Sequence, residues 1–225
     1  MIKICVSGSK GKMGSRIIAL AKQDAQLQVS AEFDLGVNPQ GLIKNSDCLI
    51  EFTTPAATIE HLAFCVQYRK AMVIGTTGLS EQEKKQIQQA ARQIPIVYSA
   101  NMSVAVNVLF KLVENAAAAL GPDYRAQIKE AHHIHKKDAP SGTAKELARL
   151  INKARGDAEE IPIESIREDE IVGDHTVTLE SPWDTVELTH HAKTRDILAK
   201  GALSAAKFIV AKPAKLYTMQ EVLGI

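Results

Sequence analysis

The chain has 225 residues, 45% hydrophobic and 24% charged, which gives enough core for one large or two medium domains of ordinary globular composition. A net charge of +1 without a long basic run speaks against nucleic acid or an acidic membrane surface as partner. Cys5, Cys48 and Cys65 show no CxxC spacing and read as buried free thiols; with no leader-like start and no apolar run long enough for a bilayer, the expectation is a cytoplasmic protein.

The first hundred residues alternate short apolar runs with helical patterns, as βαβ units of a parallel sheet do. Strands are predicted at 2–7, 27–34, 47–52, 71–74 and 95–99. Helices are predicted at about 13–22, after Pro55, after Ser80 and at 104–120. Pro55 suits a first helical turn, and Ser80 with Glu83 forms a capping-box pattern. After Gly121-Pro122 the texture changes to alternating segments at 126–132, 163–168, 172–180 and 185–191, expected to be half-buried antiparallel strands. A helix at about 142–153 interrupts them, and a last helix at about 197–210 is placed to return to the first domain. The expected fold class is α/β, a Rossmann-like nucleotide-binding domain (1–103 and 196–225) with an inserted α+β domain (104–195).

Gly8, Gly11 and Gly14 lie directly between the first strand and the first helix. Glycines there allow a tight turn and a close approach of backbone to a pyrophosphate at the helix N-terminus. The spacing is GxxGxxG, a variant of the dinucleotide fingerprint, and Met13 after Lys12 rules out a Walker A loop. Asp34 at the end of the second strand is the candidate ribose-binding acid, with Glu32 as fallback. Leu35 stands where an arginine would pair with a 2′-phosphate, so NADH is the better match, although Lys10 and Lys12 can supply positive charge to NADPH. Gly75-Thr76-Thr77-Gly78 and Ser99-Ala100-Asn101-Met102 follow further strand ends, where open α/β sheets bind ligands; alone, either reads equally as an ordinary loop.

The segment from Glu130 to Ala144 holds three histidines and two lysines ahead of Ser141-Gly142-Thr143, itself the start of a helical pattern. The helix N-terminus can hold a carboxylate, a modest effect of about 0.3–1 kcal/mol, while Ser141 can equally be a plain N-cap. Imidazole titrates near pH ~6.5, so His132 or His133 is a natural proton donor or anion partner; a lysine can hold a carboxylate or donate a proton. Histidines at this spacing also occur as metal ligands, but no HExxH or Cys/His framework completes a set and His190-His191 has no evident link to it, so no metal is expected.

This segment resembles the 4-hydroxy-tetrahydrodipicolinate reductase (dihydrodipicolinate reductase) family. The family pattern E-[AVL]-H-H-x-x-K-x-D-A-P-S-G-T-A is matched throughout by Glu130–Ala144, and the likeness extends to the GxxGxMG loop, Glu51-Phe52-Thr53, Gly75-Thr76-Thr77-Gly78 and Asn101-Met102-Ser103-Val104. The resemblance implies that His132 is the proton donor and Lys136 the catalytic lysine. It implies substrate contacts from His133, Ser141, Gly142 and Thr143, with Lys136 and Ser141 helping to hold a carboxylate. Nucleotide contacts would come from Gly8, Ser9, Lys10, Gly11, Lys12, Met13, Asp34, Gly75, Thr76, Thr77, Ser99, Ala100, Asn101 and Met102, and Arg195 would lie near the nicotinamide. The implied reaction is NADH- or NADPH-dependent reduction of a cyclic dicarboxylate in lysine and diaminopimelate biosynthesis, by a homotetramer whose second domain binds substrate and carries the tetramer surface. Segments 35–46 and 154–162 are shorter than in longer members. The alternatives are another NAD(P)H-dependent small-acid reductase or a non-catalytic NADH-sensing module, which would need a DNA-binding segment that the sequence does not display.

Overall fold

In chain order the elements are β1 (Ile2–Ser7), α1 (Lys12–Ala21), β2 (Leu27–Phe33), α2 (Gln40–Lys44), β3 (Cys48–Glu51), α3 (Pro55–Tyr68), β4 (Ala71–Ile74), α4 (Glu81–Ala90), β5 (Pro95–Tyr98) and α5 (Val104–Leu120). They continue with β6 (Arg125–His132), α6 (Gly142–Arg155), β7 (Ile163–Arg167), β8 (Asp174–Glu180), β9 (Thr185–His191), α7 (Asp196–Ile209), β10 (Lys215–Tyr217) and α8 (Met219–Leu223). This computed structural model describes residues 1–157 and 159–225. The chain divides into one unit of Met1–Val104 with Asp196–Gly224 and a second of Ala105–Arg195.

The first unit is a six-stranded sheet in the order β10-β5-β4-β3-β1-β2, with every described pairing parallel. β3 and β4 are buried at every position, as the central strands of a sheet covered on both faces must be. One face packs Ile4, Val6 and Ile50 against Ile17 of α1 and Ala202 of α7; the other packs Leu49 and Met72 against Leu62 of α3 and Ile87 of α4. Each fully buried isoleucine, Ile4 and Ile50 among them, stabilises the fold by about 1.5–3 kcal/mol. Because β1 lies between β2 and β3, the chain leaves it first to one side and then to the other. The carboxyl ends of β1 and β3 therefore flank the crevice where such sheets take ligands. Cys5, Cys48 and Cys65 are buried and free, and burial pushes the Cys5 thiol up to about 12, so they are core residues without thiolate chemistry at neutral pH.

Caps set the helix starts that the sequence indicated. Thr54 caps α3 with Pro55 in its first turn, and Ser80 and Glu83 form the capping box of α4. Three short elements had no counterpart in the sequence reading: α2, β10 and α8. α2 lies within the short 35–46 segment. Of the short 154–162 segment, residue 158 lies outside the described residues.

The second unit is a four-stranded sheet in the order β7-β6-β8-β9. One expectation is corrected here. The strands were expected to be antiparallel, but β7 pairs parallel to β6, from Ile128 opposite Ile163 to His132 opposite Arg167. The reason is the connection: α6 intervenes between β6 and β7, making a βαβ crossover that returns the chain in the same direction. β8 and β9 do pair antiparallel. Ala126 and Ile128 of β6 join Val177 and Leu179 of β8 beneath Phe110 and Val113 of α5 and Leu147 and Ile151 of α6.

Candidate active site

The same alternation that buries Ala126 and Ile128 also buries Glu130 and His132 at the end of β6, since successive side chains on a strand take opposite faces. The register then carries this polar row across the sheet. Arg167 of β7 lies opposite His132, His175 of β8 opposite Glu130, and His190 of β9 opposite His175. Glu130 is 0% exposed. Its Oε2 is hydrogen-bonded to His132 Nδ1, while Oε1 accepts from Arg167 Nη2 at 2.8 Å and from the Ser141 amide at 3.3 Å. Burial works against ionisation of Glu130, but the Arg167 and His132 hydrogen bonds outweigh it and hold the carboxyl below its usual range. Burial also pushes the His132 imidazole below its usual value, with the Glu130 carboxylate opposing that effect and the Lys136 charge adding to it.

His175 stands edge-on to His132, ring centroids 5.2 Å apart, with Nε2 3.4 Å from Ser141 Oγ. Desolvation, aided by the His132 charge, lowers it to about 4, so it stays neutral at pH 7. Ser141 caps α6 by accepting from the Ala144 amide. Gly142 is exposed and Thr143 half-buried in the first helical turn. His133 is half-buried, its imidazole lowered by desolvation and then by the Arg195 guanidinium. The Lys136 ammonium pairs with both oxygens of Asp138, at 2.7 and 2.9 Å. Arg167 also donates to the Asp138 carbonyl at 2.6 Å, pinning the loop that carries Lys136 to β7.

Glu130, His132 and His175 each bring a possible ligand atom within 4.8 Å of the others, a spacing a metal ion can use. Arg167 already supplies the positive charge at that carboxylate. A metal ion there would be repelled by the guanidinium, so the set fits proton handling and anion binding better than a cation.

In the first unit, Gly8 adopts a left-handed φ of 66°, and a Cβ on Gly14 would fall 2.1 Å from the Gly8 carbonyl oxygen. Both positions therefore require glycine, and α1 begins hard against the loop after β1. Asp34 ties this loop to the end of β2, accepting from the Lys10 amide at 2.9 Å and the Leu35 amide at 2.8 Å. Those two hydrogen bonds lower its pKa, so it is ionised at neutral pH. Asp34 and Gly8 line a cavity of about 300 Å³ with Leu35, Val37, Thr53 and His61. Leu35 is fully exposed there. A glycine cradle at a helix start beside a carboxylate at the end of the second strand fits a dinucleotide.

Not every residue expected at the nucleotide presents its side chain. Thr76 is buried; its hydroxyl accepts from the Thr53 amide at 3.2 Å and from Thr58 Oγ1 at 2.9 Å, joining the ends of β3 and β4. Met102 is 1% exposed and belongs to the first core. Ser9, Thr77, Ser99, Ala100 and Asn101 lie on the loops after β1, β4 and β5, with Ser99 Oγ donating to the Asn101 carbonyl. Glu130, Arg167 and His175 carried no assigned role in the sequence reading. Two-residue spacing from His132 on a strand was a usable signal for Glu130; strand register, which alone places the other two, has no local trace.

Residues 2–102 match the family model described as dihydrodipicolinate reductase, N-terminus, and residues 105–223 the model for its C-terminus. The 4-hydroxy-tetrahydrodipicolinate reductase of Nitrosomonas eutropha is 40% identical over 265 aligned positions, covering 100% of this chain and 99% of that protein. That of Zymomonas mobilis is also 40% identical, over 248 positions, covering 100% and 98%. Alignments longer than this chain's 225 residues show that it is shorter than these relatives. Among solved structures, dipicolinate-bound dihydrodipicolinate reductase from Paenisporosarcina sp. TG-14 shares the fold with a TM-score of 0.83 at 22% identity, covering 98% of each chain. An amine dehydrogenase from Mycobacterium smegmatis shares it at a TM-score of 0.67 and 10% identity, covering 97% of this chain and 95% of that one, so the fold alone does not fix the substrate. Matched end to end by both family models and by relatives at 40% identity, the chain belongs to the dihydrodipicolinate reductase family.

Proposed function

We propose that this protein is a 4-hydroxy-tetrahydrodipicolinate reductase, an NAD(P)H-dependent oxidoreductase. It converts (2S,4S)-4-hydroxy-2,3,4,5-tetrahydrodipicolinate into (S)-2,3,4,5-tetrahydrodipicolinate and water in lysine and diaminopimelate biosynthesis. The observation that carries this reading is the unbroken Glu130–Ala144 signature, within which His132 is buried against Glu130 beside Arg167 and His175.

When bound, NAD(P)H supplies the hydride. The residues that hold it are Gly8 to Met13 and Asp34, with the loops at Gly75–Thr77 and Ser99–Met102; Thr76 and Met102 serve through backbone, because their side chains are buried. NADH is used at least as well as NADPH, for Asp34 is ionised and Leu35 offers a 2′-phosphate no cation. In the second unit, Lys136, His133, Ser141 and the amides at Gly142-Thr143 hold the substrate carboxylates. His132 donates the proton that accompanies hydride addition across the conjugated C=C–C=N system left by loss of the 4-hydroxyl as water. Burial disfavours the imidazolium form of His132 in the free protein and a dianionic ring favours it, so the substrate itself helps to arm the acid. Lys136 is the second proton source, and its pairing with Asp138 fixes its position at the loop.

A cytoplasmic homotetramer completes the reading. Family resemblance supports the tetramer, as does the half-open outer strand β9, preceded by Trp183 at 86% exposure. Among the described residues no helix is long and apolar enough to cross a membrane. The test is turnover of aldolase-generated substrate with NADH and with NADPH. Reduction of this ring dicarboxylate is expected; nucleotide binding without turnover would favour a sensor, and reduction of a different small acid would mark another reductase.

A further inference from the structure

The two ring nitrogens of His132 meet different neighbours. Nδ1 is hydrogen-bonded to Glu130 Oε2. Nε2 faces Gly173, just before β8: a Cβ placed on Gly173 would lie 3.0 Å from Nε2 and 3.3 Å from Cδ2 of the ring. Glycine thus leaves open, beside Nε2, a space that any other side chain would fill. Glu130 cannot swing away, since Arg167 and the Ser141 amide hold its other oxygen. Arg167 is itself fixed by hydrogen bonds to the carbonyls of Ile166 and Asp138, both at 2.6 Å.

We infer that Glu130, Arg167 and Gly173 are positioning residues for proton transfer at His132. Glu130, anchored by Arg167, holds Nδ1–H and sets the ring's tautomer and plane, while Gly173 keeps Nε2 accessible as the atom that delivers the proton. The inference rests on the reading of His132 as donor. In the step, the Nε2–H bond breaks as a C–H bond forms on the substrate ring, and the N–H electron pair stays on Nε2. Neutral His132 keeps its Nδ1–H toward Glu130 and is reprotonated from solvent. The titratable and charged groups facing His132 are Glu130 on its own strand, Arg167 on β7, His175 on β8, and Lys136 with Asp138 on the loop. Among these, Glu130 is the anion in direct contact with the ring, and it stabilises the imidazolium.

Three variants of the full-length enzyme test this, with steady-state kinetics across pH and binding of pyridine-2,6-dicarboxylate as the control for an intact site. Glu130→Gln is expected to lower kcat by roughly 10²-fold, the low end of what general acid catalysis contributes, and to keep KM within about threefold. The fall of kcat/KM at high pH should also begin at lower pH, because the imidazolium loses its counter-charge. Gly173→Ala should lower kcat while leaving that pH dependence in place, since it obstructs Nε2 without changing the charge; because Gly173 has a φ of 159° that strains any side chain, its dicarboxylate binding must stay at the wild-type level for the loss to count. Should the buried Glu130 variant fail to fold, Arg167→Lys keeps the charge, loses the guanidinium bonds that fix Arg167 to the Ile166 and Asp138 carbonyls and is expected to lower kcat about tenfold. A Glu130→Gln enzyme with wild-type pH dependence, or a Gly173→Ala enzyme with wild-type kcat, overturns the inference. Nitrogen-15 NMR of the His132 ring in the wild type separates this failure from that of the donor reading. Protonation at Nδ1 in the neutral form supports the positioning role; if His132→Gln then leaves kcat intact, the donor reading fails and the inference falls with it, whereas protonation at Nε2 overturns the inference even if His132→Gln abolishes turnover.

Discussion

Each unit contains a buried glutamate–histidine pair, and the two differ in what surrounds them. In the first unit Glu51 Oε2 meets His61 Nδ1 at 2.6 Å, and the other carboxylate oxygen accepts from the Thr53 hydroxyl. His61 stands edge-on to Phe33, ring centroids 5.1 Å apart, with Ser7 Oγ at 3.5 Å. In the second unit the corresponding oxygen of Glu130 takes a guanidinium, and His132 is ringed by His175, Lys136 and the gap at Gly173. The carboxylate–imidazole contact is common to both. The neighbours make one a brace between the ends of β1 and β3 and α3, and give the other the surroundings that the proposed proton transfer needs. A buried Glu–His pair is therefore no marker of catalysis until the second carboxylate oxygen and the far ring nitrogen have been followed to their partners.

The largest expected effect breaks the pairs apart directly. His132→Gln should cut kcat by roughly 10²–10⁴-fold, whereas His61→Gln should act mainly on stability and nucleotide affinity, with kcat changed less than about tenfold. Measuring both under conditions where chemistry limits turnover decides it, and equal losses would erase the distinction drawn here.

Next comes acid sensitivity. His175 titrates at about 4 in the folded protein, well below a free imidazole near ~6.5, so the unfolded chain binds the proton more readily between those values. Stability conferred by the neutral, buried ring is complete above pH ~6.5 and is lost as pH falls toward 4, by about 3 kcal/mol at that end. Urea unfolding at a series of pH values should show this slope, and His175→Gln should flatten it. A variant with the wild-type slope would place the acid sensitivity elsewhere, for example among the surface carboxylates.

Smaller effects are expected at the first unit's nucleotide loop. Leu35→Arg should improve kcat/KM for NADPH about tenfold relative to NADH, because a charged hydrogen bond contributes about 1.5–3 kcal/mol and part of that is offset by the adjacent Asp34. A strong NADPH preference in the unmodified enzyme would show that Lys10 or Lys12 already fills this role. The smallest effect expected is none at all: EDTA should leave activity unchanged, since Arg167 rather than a metal balances Glu130. Activity lost to the chelator and restored by zinc would turn the Glu130–His132–His175 set into a metal centre and reverse the comparison.

Features written in local spacing were legible before any fold was known. Period-two burial on β6, the glycines at 8 and 14, Pro55 in a first helical turn, the Ser80 cap and the Glu130–Ala144 motif each depend on neighbours a few residues away, so their patterns survive in one dimension. The brief α2, β10 and α8 elements did not, because three to five residues span too few periods to declare a face. Only the tertiary structure decided that β7 runs parallel to β6, and that Arg167 and His175 arrive beside Glu130 and His132. It also buried the side chains of Thr76 and Met102. The physical reason is that strand alternation fixes which side chains share a face, whereas pairing partner and register are set by non-local packing and by the α6 crossover.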